Sequence, residues 1–352
     1  MVNPNYYRSS GVTVALSRLG DALAASGVSV QFADCRHGSG VETDLEGWKS
    51  GVVATFRLMS KSPFTVIAAM LRLRSFLRAQ AVDVVHLHHR RLALLVGLVA
   101  RTLQIPVIYT GHLTYGKSVL FRRSPLSAMV AISESVMANL QMTHPCRKRF
   151  LISNVVEFPE QPAATPGFDP RQVCCVARLE PVKNHPTLLR AWALLDPVRR
   201  GLKLLLVGEG GEMRSLEILA SQLGIESSIE FLGYRSDVRE IVASSLFCVL
   251  PSFREGQGLV TIEAASVGRA SLVTDVDGSR DCVPPQATLP NRIDAYSDSA
   301  LASAMSLWLG SPESVIHEGE IFRNHWKTRA APAVVAQATI KAYVSVGAPE
   351  KC

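Results

Sequence analysis

Arg254-Glu255-Gly256-Gln257-Gly258-Leu259-Val260-Thr261-Ile262-Glu263-Ala264 sets two carboxylates, Glu255 and Glu263, eight positions apart. Two glycines follow the first, and an apolar helical pattern carries the second. Upstream, Ser245-Leu246-Phe247-Cys248-Val249-Leu250 reads as a buried strand closed by Pro251. Buried strand, glycine loop and helix start, in that order, is where an open α/β sheet presents a ligand at the carboxyl ends of its strands. Glycines let the backbone come close to a ligand, and the first free N–H groups of the helix favour an anion. Glu263, about one turn into that helix, faces the same cleft and is placed to accept hydrogen bonds from sugar hydroxyls. By spacing alone, a glycine-punctuated turn with a solvated glutamate at each end fits equally well.

Outward from this stretch, strand and helix alternate in the βαβ rhythm of a mostly parallel sheet. Toward the C-terminus the helix runs to Val267 with Gly268 as its cap, then come a strand at 271–274 and a helix at 300–309. Toward the N-terminus lie strands at 173–178, 203–207 and 229–232 and helices at 185–195, 212–223 and 236–243. Residues 158–172, with Pro159, Pro162, Pro166 and Pro170 around Gly167, read as an interdomain linker. Before it the rhythm runs through strands at 28–33, 52–56, 82–87, 106–110, 127–132 and 150–152 and helices at 12–26, 64–80, 92–103 and 134–140. The alanine-rich tail at 328–346 reads as a helix long enough to cross back over the other domain. The expected division is a first domain at 1–157, the linker at 158–172, a second domain at 173–325 and a C-terminal helix at 326–352.

A chain of 352 residues suits two domains of this size. Cys35, Cys174, Cys175 and Cys248 sit in or beside apolar strand-like runs and read as buried hydrophobes in a reducing cytosol, with no CxxC spacing for zinc or redox chemistry. The longest apolar run, 92–100, is far short of the roughly 20 residues that span a bilayer. With no signal peptide opening the sequence, a soluble, cytoplasmic protein is expected. Residues 1–160 carry 18 Lys and Arg against 9 Asp and Glu, whereas residues 161–352 carry 19 against 21. The basic excess is thus confined to the first half, which points to an anionic partner: a membrane surface, a lipid diphosphate or a nucleic acid. The basic helix at 64–80 is expected to be an ordinary cover helix with a solvated basic face ahead of one that lies on a membrane.

Val176-Ala177-Arg178-Leu179-Glu180-Pro181-Val182-Lys183-Asn184-His185 follows the first strand of the second domain. Arg178 leaves the strand end and Lys183 precedes the next helix, a guanidinium fork and an ammonium that suit a diphosphate. Alone, each also fits a surface cation. This pair and the Glu-x7-Glu unit together resemble the retaining nucleotide-sugar glycosyltransferases of family 4, which have the GT-B fold. Val207-Gly208-Glu209-Gly210, Phe231-Leu232-Gly233-Tyr234 ahead of Asp237, and Thr274-Asp275-Val276-Asp277-Gly278 also resemble that family's second domain. Val85-His86-Leu87-His88, Tyr109-Thr110-Gly111-His112, Ile132-Ser133-Glu134 and Ile152-Ser153-Asn154-Val155-Val156-Glu157 fall in the order of its first domain. The resemblance implies two Rossmann-like domains facing across a cleft. It implies that Arg178 and Lys183 hold the donor diphosphate, Glu263 the ribose, and Glu255 with Gly256, Gly258 and Leu259 the donor sugar. It also implies that His112 lies near the donor sugar, that Gly11 lies beside the diphosphate, and that no metal or other cofactor is needed. A glycan or lipid-linked acceptor at the inner face of an anionic membrane, in polysaccharide or lipopolysaccharide synthesis, follows from the resemblance and the basic first half; a nucleic-acid partner does not.

The chain departs from the family's pattern at Gln257, Val155, Ala270-Ser271 and Asp277, where an aromatic, a glycine, a proline and a glycine are usual. Almost no sequence precedes the loop at 3–11, so a central first strand is expected to be missing, and either the native start lies upstream or the chain is poorly active. A nucleotide-sugar epimerase, a phosphorylase or a catalytically inactive binding partner on the same fold are the alternatives. Asp275-Val276-Asp277 has a metal-binding spacing, and His86, His88 and His89 cluster, but a loop and a strand end are the expected readings of each.

Overall fold

The computed structural model of the protein describes residues 1–3, 11–35, 53–160 and 167–349. The chain divides into two units, residues 1–155 with 332–352 and residues 156–331.

The first unit runs β1 (Val2–Asn3), α1 (Gly11–Ala25), β2 (Phe32–Asp34), β3 (Val53–Thr55), α2 (Pro63–Ala79), β4 (Val85–Leu87), α3 (Ala93–Arg101), β5 (Val107–Gly111), α4 (Val119–Arg122), β6 (Ala128–Ala131), α5 (Glu134–Thr143) and β7 (Arg149–Leu151). Among the described residues its sheet is parallel, in the order β3-β2-β1-β4-β5-β6-β7. The central strand expected to be missing is therefore present: Val2 pairs with Ala33 on one side and Leu87 on the other, and the amide of Ala33 donates to the Met1 carbonyl at 2.8 Å. Two residues are too short for an alternating apolar signal, and Asn3-Pro4-Asn5 reads as a turn, so the sequence hides a strand that ladder bonds on both sides hold.

Successive residues of β5 feed opposite faces, Tyr109 to a core with Leu73 and Leu77 of α2 and Val96 of α3, and Ile108 to one with Leu16 and Leu23 of α1. Ser62 caps α2, accepting from the Thr65 amide, and Pro63 fits its first turn. This helix buries Ala69, Leu73 and Leu77, but its outward face is not simply basic. Phe64, Ile67 and Leu71 form an exposed stripe there, beside exposed Arg72 and Arg78.

The second unit contains β8 (Asp169–Val176), α6 (His185–Ala193), α7 (Pro197–Arg200), β9 (Lys203–Val207), α8 (Met213–Gln222), β10 (Ile229–Gly233), α9 (Val238–Ser244), β11 (Ser245–Leu250), α10 (Leu259–Ser266), β12 (Ser271–Thr274), β13 (Arg292–Ile293), α11 (Asp298–Leu309) and α12 (Pro312–Ala330). Its parallel sheet is ordered β10-β9-β8-β11-β12-β13, the same winding as the first. Asp169 to Gln172, expected in the linker, are the first half of β8, with Pro170 and Arg171 exposed and Asp169 and Gln172 half-buried, so the apolar pattern that marks a strand is missing there. The linker residues 161–166 lie outside the described residues.

The expected helix at 328–346 is two helices. Ala331 is extended before Pro332, as a residue preceding proline prefers, so α12 ends there and α13 (Pro332–Ser345) begins. Helix α13 belongs to the first unit, where Val335, Ala336 and Tyr343 join the α1 core. Cys35, Cys174, Cys175 and Cys248 are buried. Among the described residues no helix is long and apolar enough to cross a membrane.

Candidate active site

In each sheet the strand order reverses beside the first strand, and loops leaving neighbouring strands there part to opposite faces, which opens a ligand crevice at their carboxyl ends. In the second unit this point lies between β8 and β11. The end of β8 delivers Arg178, a 3₁₀ turn delivers Lys183, and the end of β11 delivers Ser252 and Glu255. Lys183 Nζ lies 2.6 Å from Glu255 Oε1, with the two side chains only 18% and 11% exposed. Ser252 donates its hydroxyl to the same oxygen at 2.7 Å, and Thr274 in turn donates to the Ser252 carbonyl. The backbones are joined as well, the Phe253 amide donating to the Val182 carbonyl at 2.9 Å. Gly278, at φ +78°, lies under this loop; a Cβ there would fall 2.6 Å from the Glu255 carbonyl oxygen.

The structure thus brings Lys183 and Glu255 together and directs Arg178 elsewhere. Arg178 is exposed and pairs with Glu180 at 2.5 Å, an arrangement that contributes little to stability and leaves the guanidinium easily recruited by a stronger anion. Gly256, Gln257 and Gly258 are buried, and Leu259 opens α10 half-buried. Glu263 is half-buried in the second turn of the same helix. Asp275 and Asp277 are at least half exposed and face Arg280 at 3.5 and 3.6 Å. Among the described residues no group of three or more His, Cys, Asp or Glu side chains is arranged to hold a metal ion.

In the first unit Gly11 is the exposed first residue of α1; residues 4–10, which lead into it, lie outside the described residues. His112 follows β5, and its Nε2 lies 3.1 Å from Nδ1 of His88, which follows β4. His86 packs against His88 with ring centres 4.3 Å apart, the planes tilted by 34°, and holds Tyr343 Oη and Thr110 Oγ1 at 2.8 and 2.6 Å. All three imidazoles are buried, and burial lowers His112 to about 4 and His86 to about 3, with His88 also well below the usual histidine value. They are therefore neutral at pH 7. They line a small pocket with Thr110, Asn154 and Thr339.

Sequence reasoning passed over Asn184, Ser252 and the link from His88 to His112. Asn184 is a short polar residue whose partners are remote in sequence, and Ser252 reaches Glu255, three positions on, only through the turn that follows β11. The third had a signal: His86 and His88 are two apart on a strand end, hence on one face, and His112 ends the neighbouring strand.

Comparison with known proteins agrees with this architecture. Residues 9–157 match the family described as Glycosyltransferase Family 4, and residues 159–330 match Glycosyl transferases group 1. The crystal structure of Anabaena HepE in complex with UDP superposes with a TM-score of 0.81 over 98% of both chains at 17% identity, which shows the GT-B fold. D-inositol 3-phosphate glycosyltransferase of Corynebacterium glutamicum is 31% identical over 47% of this chain and 41% of its own. Lipopolysaccharide glucosyltransferase WaaG of Escherichia coli is 34% identical over 24% of this chain and 23% of its own. The matches therefore span less than half the length of these relatives. By fold this is a GT-B protein, and the chain belongs to the group 1, family 4 glycosyltransferases.

Proposed function

We propose that the protein is a retaining glycosyltransferase that moves a sugar from a nucleoside diphosphate to a glycan or lipid-linked acceptor in cell-surface polysaccharide or lipopolysaccharide synthesis. The observation that carries this reading is the shielded Lys183–Glu255 pair at the strand-order reversal of the second unit. An incoming diphosphate competes for Lys183, which frees Glu255 to accept from sugar hydroxyls. Arg178 adds a second cation, Glu263 binds the ribose, and Gly256, Gly258 and Leu259 bring backbone to the sugar. His112 acts at the donor sugar and Gly11 beside the diphosphate, as the family resemblance implies. As the bond from the anomeric carbon to the phosphate oxygen breaks, that oxygen takes the acceptor's proton, and the acceptor oxygen bonds the same face of the carbon. The enzyme's part is to stabilise the separating charges, for which Lys183 and Arg178 stand in place of a metal ion.

HepE has been solved with UDP and with UDP-glucose, which supports a nucleotide-sugar donor. Helix α2, with its apolar stripe and flanking arginines, supports peripheral contact with an anionic membrane on the cytoplasmic side, where a lipid-linked acceptor would be met. The test is titration with UDP, GDP and ADP followed by product analysis with the matching labelled sugars. One of the three should bind, Lys183→Ala and Glu263→Ala should each weaken it at least tenfold, and the transferred sugar should keep its anomeric configuration, undiminished by a chelator. If none binds, or if both variants bind like the wild type, the reading fails.

A further inference from the structure

The histidine cluster of the first unit holds more than the reading above uses. His86 has both nitrogens engaged, by Tyr343 and by Thr110. His88 engages His112 through Nδ1, while its Nε2 is buried and has no partner among the described residues. His112 makes its hydrogen bond through Nε2, and its Nδ1 has none among the described residues. A neutral imidazole carries one N–H, and the partner of one nitrogen decides whether the other donates or accepts. In the His88–His112 bond only one of the facing nitrogens bears hydrogen. If His112 donates, its Nδ1 is left as an acceptor and His88 Nε2 becomes a donor; if His88 donates, the two outer atoms exchange roles. The two rings therefore share one tautomeric choice. The ring of His88 also packs, tilted by 34°, against that of His86, which hydroxyls hold from two sides, and this contact restrains the assembly.

We propose that His88 is a positioning residue: it orients His112 and locks its tautomer. His112 Nδ1 then meets a sugar hydroxyl in one fixed role, either donor or acceptor. This rests on the reading of His112 as a donor-sugar contact, but the lock can be observed without substrate.

Long-range ¹H–¹⁵N spectra of the full-length protein report the tautomer of each imidazole. His112 should show one fixed tautomer in the wild type. His88→Asn, whose amide approximates Nδ1, should keep it, and His88→Leu should give an average of two. A single tautomer in His88→Leu overturns the lock, whatever the activity. The functional consequence is read with UDP-, GDP- and ADP-glucose, using the one that turns over. His88→Leu should lower kcat about 10- to 100-fold with donor KM unchanged, and His88→Asn should restore most of it. In a His112→Ala background His88→Leu should cost nothing further, because two residues acting as one unit are not additive. Equal losses in both backgrounds mean that His88 acts through packing, and the proposal falls. A lost lock together with full activity in His112→Ala would instead remove His112 from the donor site and leave the geometry standing.

Discussion

Asn184 ties the two loops of the candidate site together, although it touches neither charge of the ion pair. Its backbone is left-handed, φ 58° and ψ 38°, between Lys183 and α6. Its side chain, 3% exposed, donates to the carbonyls of Pro251 at 3.0 Å and Ala295 at 2.9 Å. One amide therefore fixes the turn that carries Lys183 against the strand end that leads to Ser252 and Glu255. Asparagine enters the left-handed region more readily than other residues with a Cβ, and its amide supplies two donors, so residue type and position agree. Asn184→Ala loses both bonds and adds left-handed strain, which together should cost about 2–4 kcal/mol. Asn184→Gly loses the bonds alone and should cost about 1 kcal/mol less. Asn184→Asp faces two carbonyls with a charge and should be the least stable. Urea unfolding checks this ranking, and an alanine variant as stable as the wild type would show that the two bonds fix nothing.

At the scale of elements, α2 makes the most specific prediction. Burying an apolar side chain such as Phe64, Ile67 or Leu71 contributes about 1.5–3 kcal/mol when complete, against about 1 kcal/mol for one arginine near an anionic surface. The apolar stripe should therefore dominate the affinity and the arginines the lipid preference. Phe64→Ser, Ile67→Ser and Leu71→Ser combined should reduce co-sedimentation with phosphatidylserine-rich vesicles more than tenfold. Wild-type binding should fall in 0.5 M salt and be weak on phosphatidylcholine alone, as a charge-dependent contact requires (about 3–10 Å screening lengths). Equal sedimentation of wild type and triple variant would sink the contact. The same helix shows what the sequence reveals and what it conceals. The order of elements was legible because buried parallel strands leave apolar runs and their cover helices leave a 3.6-residue period. The outward apolar stripe was not, because arginines at 72, 74 and 78 dominate the composition of that face. Helix α12 escaped for a related reason. Glu318 is fully buried, accepting from Thr288 and Asn291, and Arg323 reaches the carbonyls of Ser266 and Pro159, so charged residues occupy positions where an apolar pattern is sought. Its Gly319 lets the helix lie against the end of α10, where a Cβ would fall 2.1 Å from the Gly268 carbonyl oxygen. No single-chain pattern encodes that closeness. At the site, glycines and paired glutamates were legible as motifs, whereas the pairing of Lys183 with Glu255 rather than with a ligand needed the fold.

Across the whole molecule the buried histidines couple stability to pH. His86 and His112 in the first unit are lowered to about 3 and about 4, and His185 in the second to about 4, each chiefly by burial from an ordinary value of 6.5. Above pH 6.5 these imidazoles are neutral in folded and unfolded chains alike, so they leave stability independent of pH. Below it the unfolded chain takes up protons that the folded chain refuses, and stability falls until the folded values are reached. Each such group removes about 1.4 kcal/mol per pH unit across that window, and about 3–5 kcal/mol over the whole of it. Carboxylates titrate in the lower part of the same range, so variants must isolate the histidines. His185 is the cleanest choice: it is fully buried, and neither ring nitrogen has a hydrogen-bond partner among the described residues, so an apolar replacement sacrifices no bond. His185→Leu should match or exceed wild-type stability at pH 7 and lose less between pH 6.5 and 5. His86→Leu should also flatten the acid slope, but at a cost at pH 7, because it leaves Tyr343 and Thr110 each without the bond to His86. Scanning calorimetry in steps from pH 7.5 to 5 separates these outcomes, since two units with their own cores need not unfold together. The transition that His185→Leu alters is then that of residues 156–331, and the one His86→Leu alters is that of the other unit. A wild-type profile flat from pH 7 to 5 would mean that the imidazoles are protonated in the folded chain, and the neutral cluster around His88 and His112 would go with it.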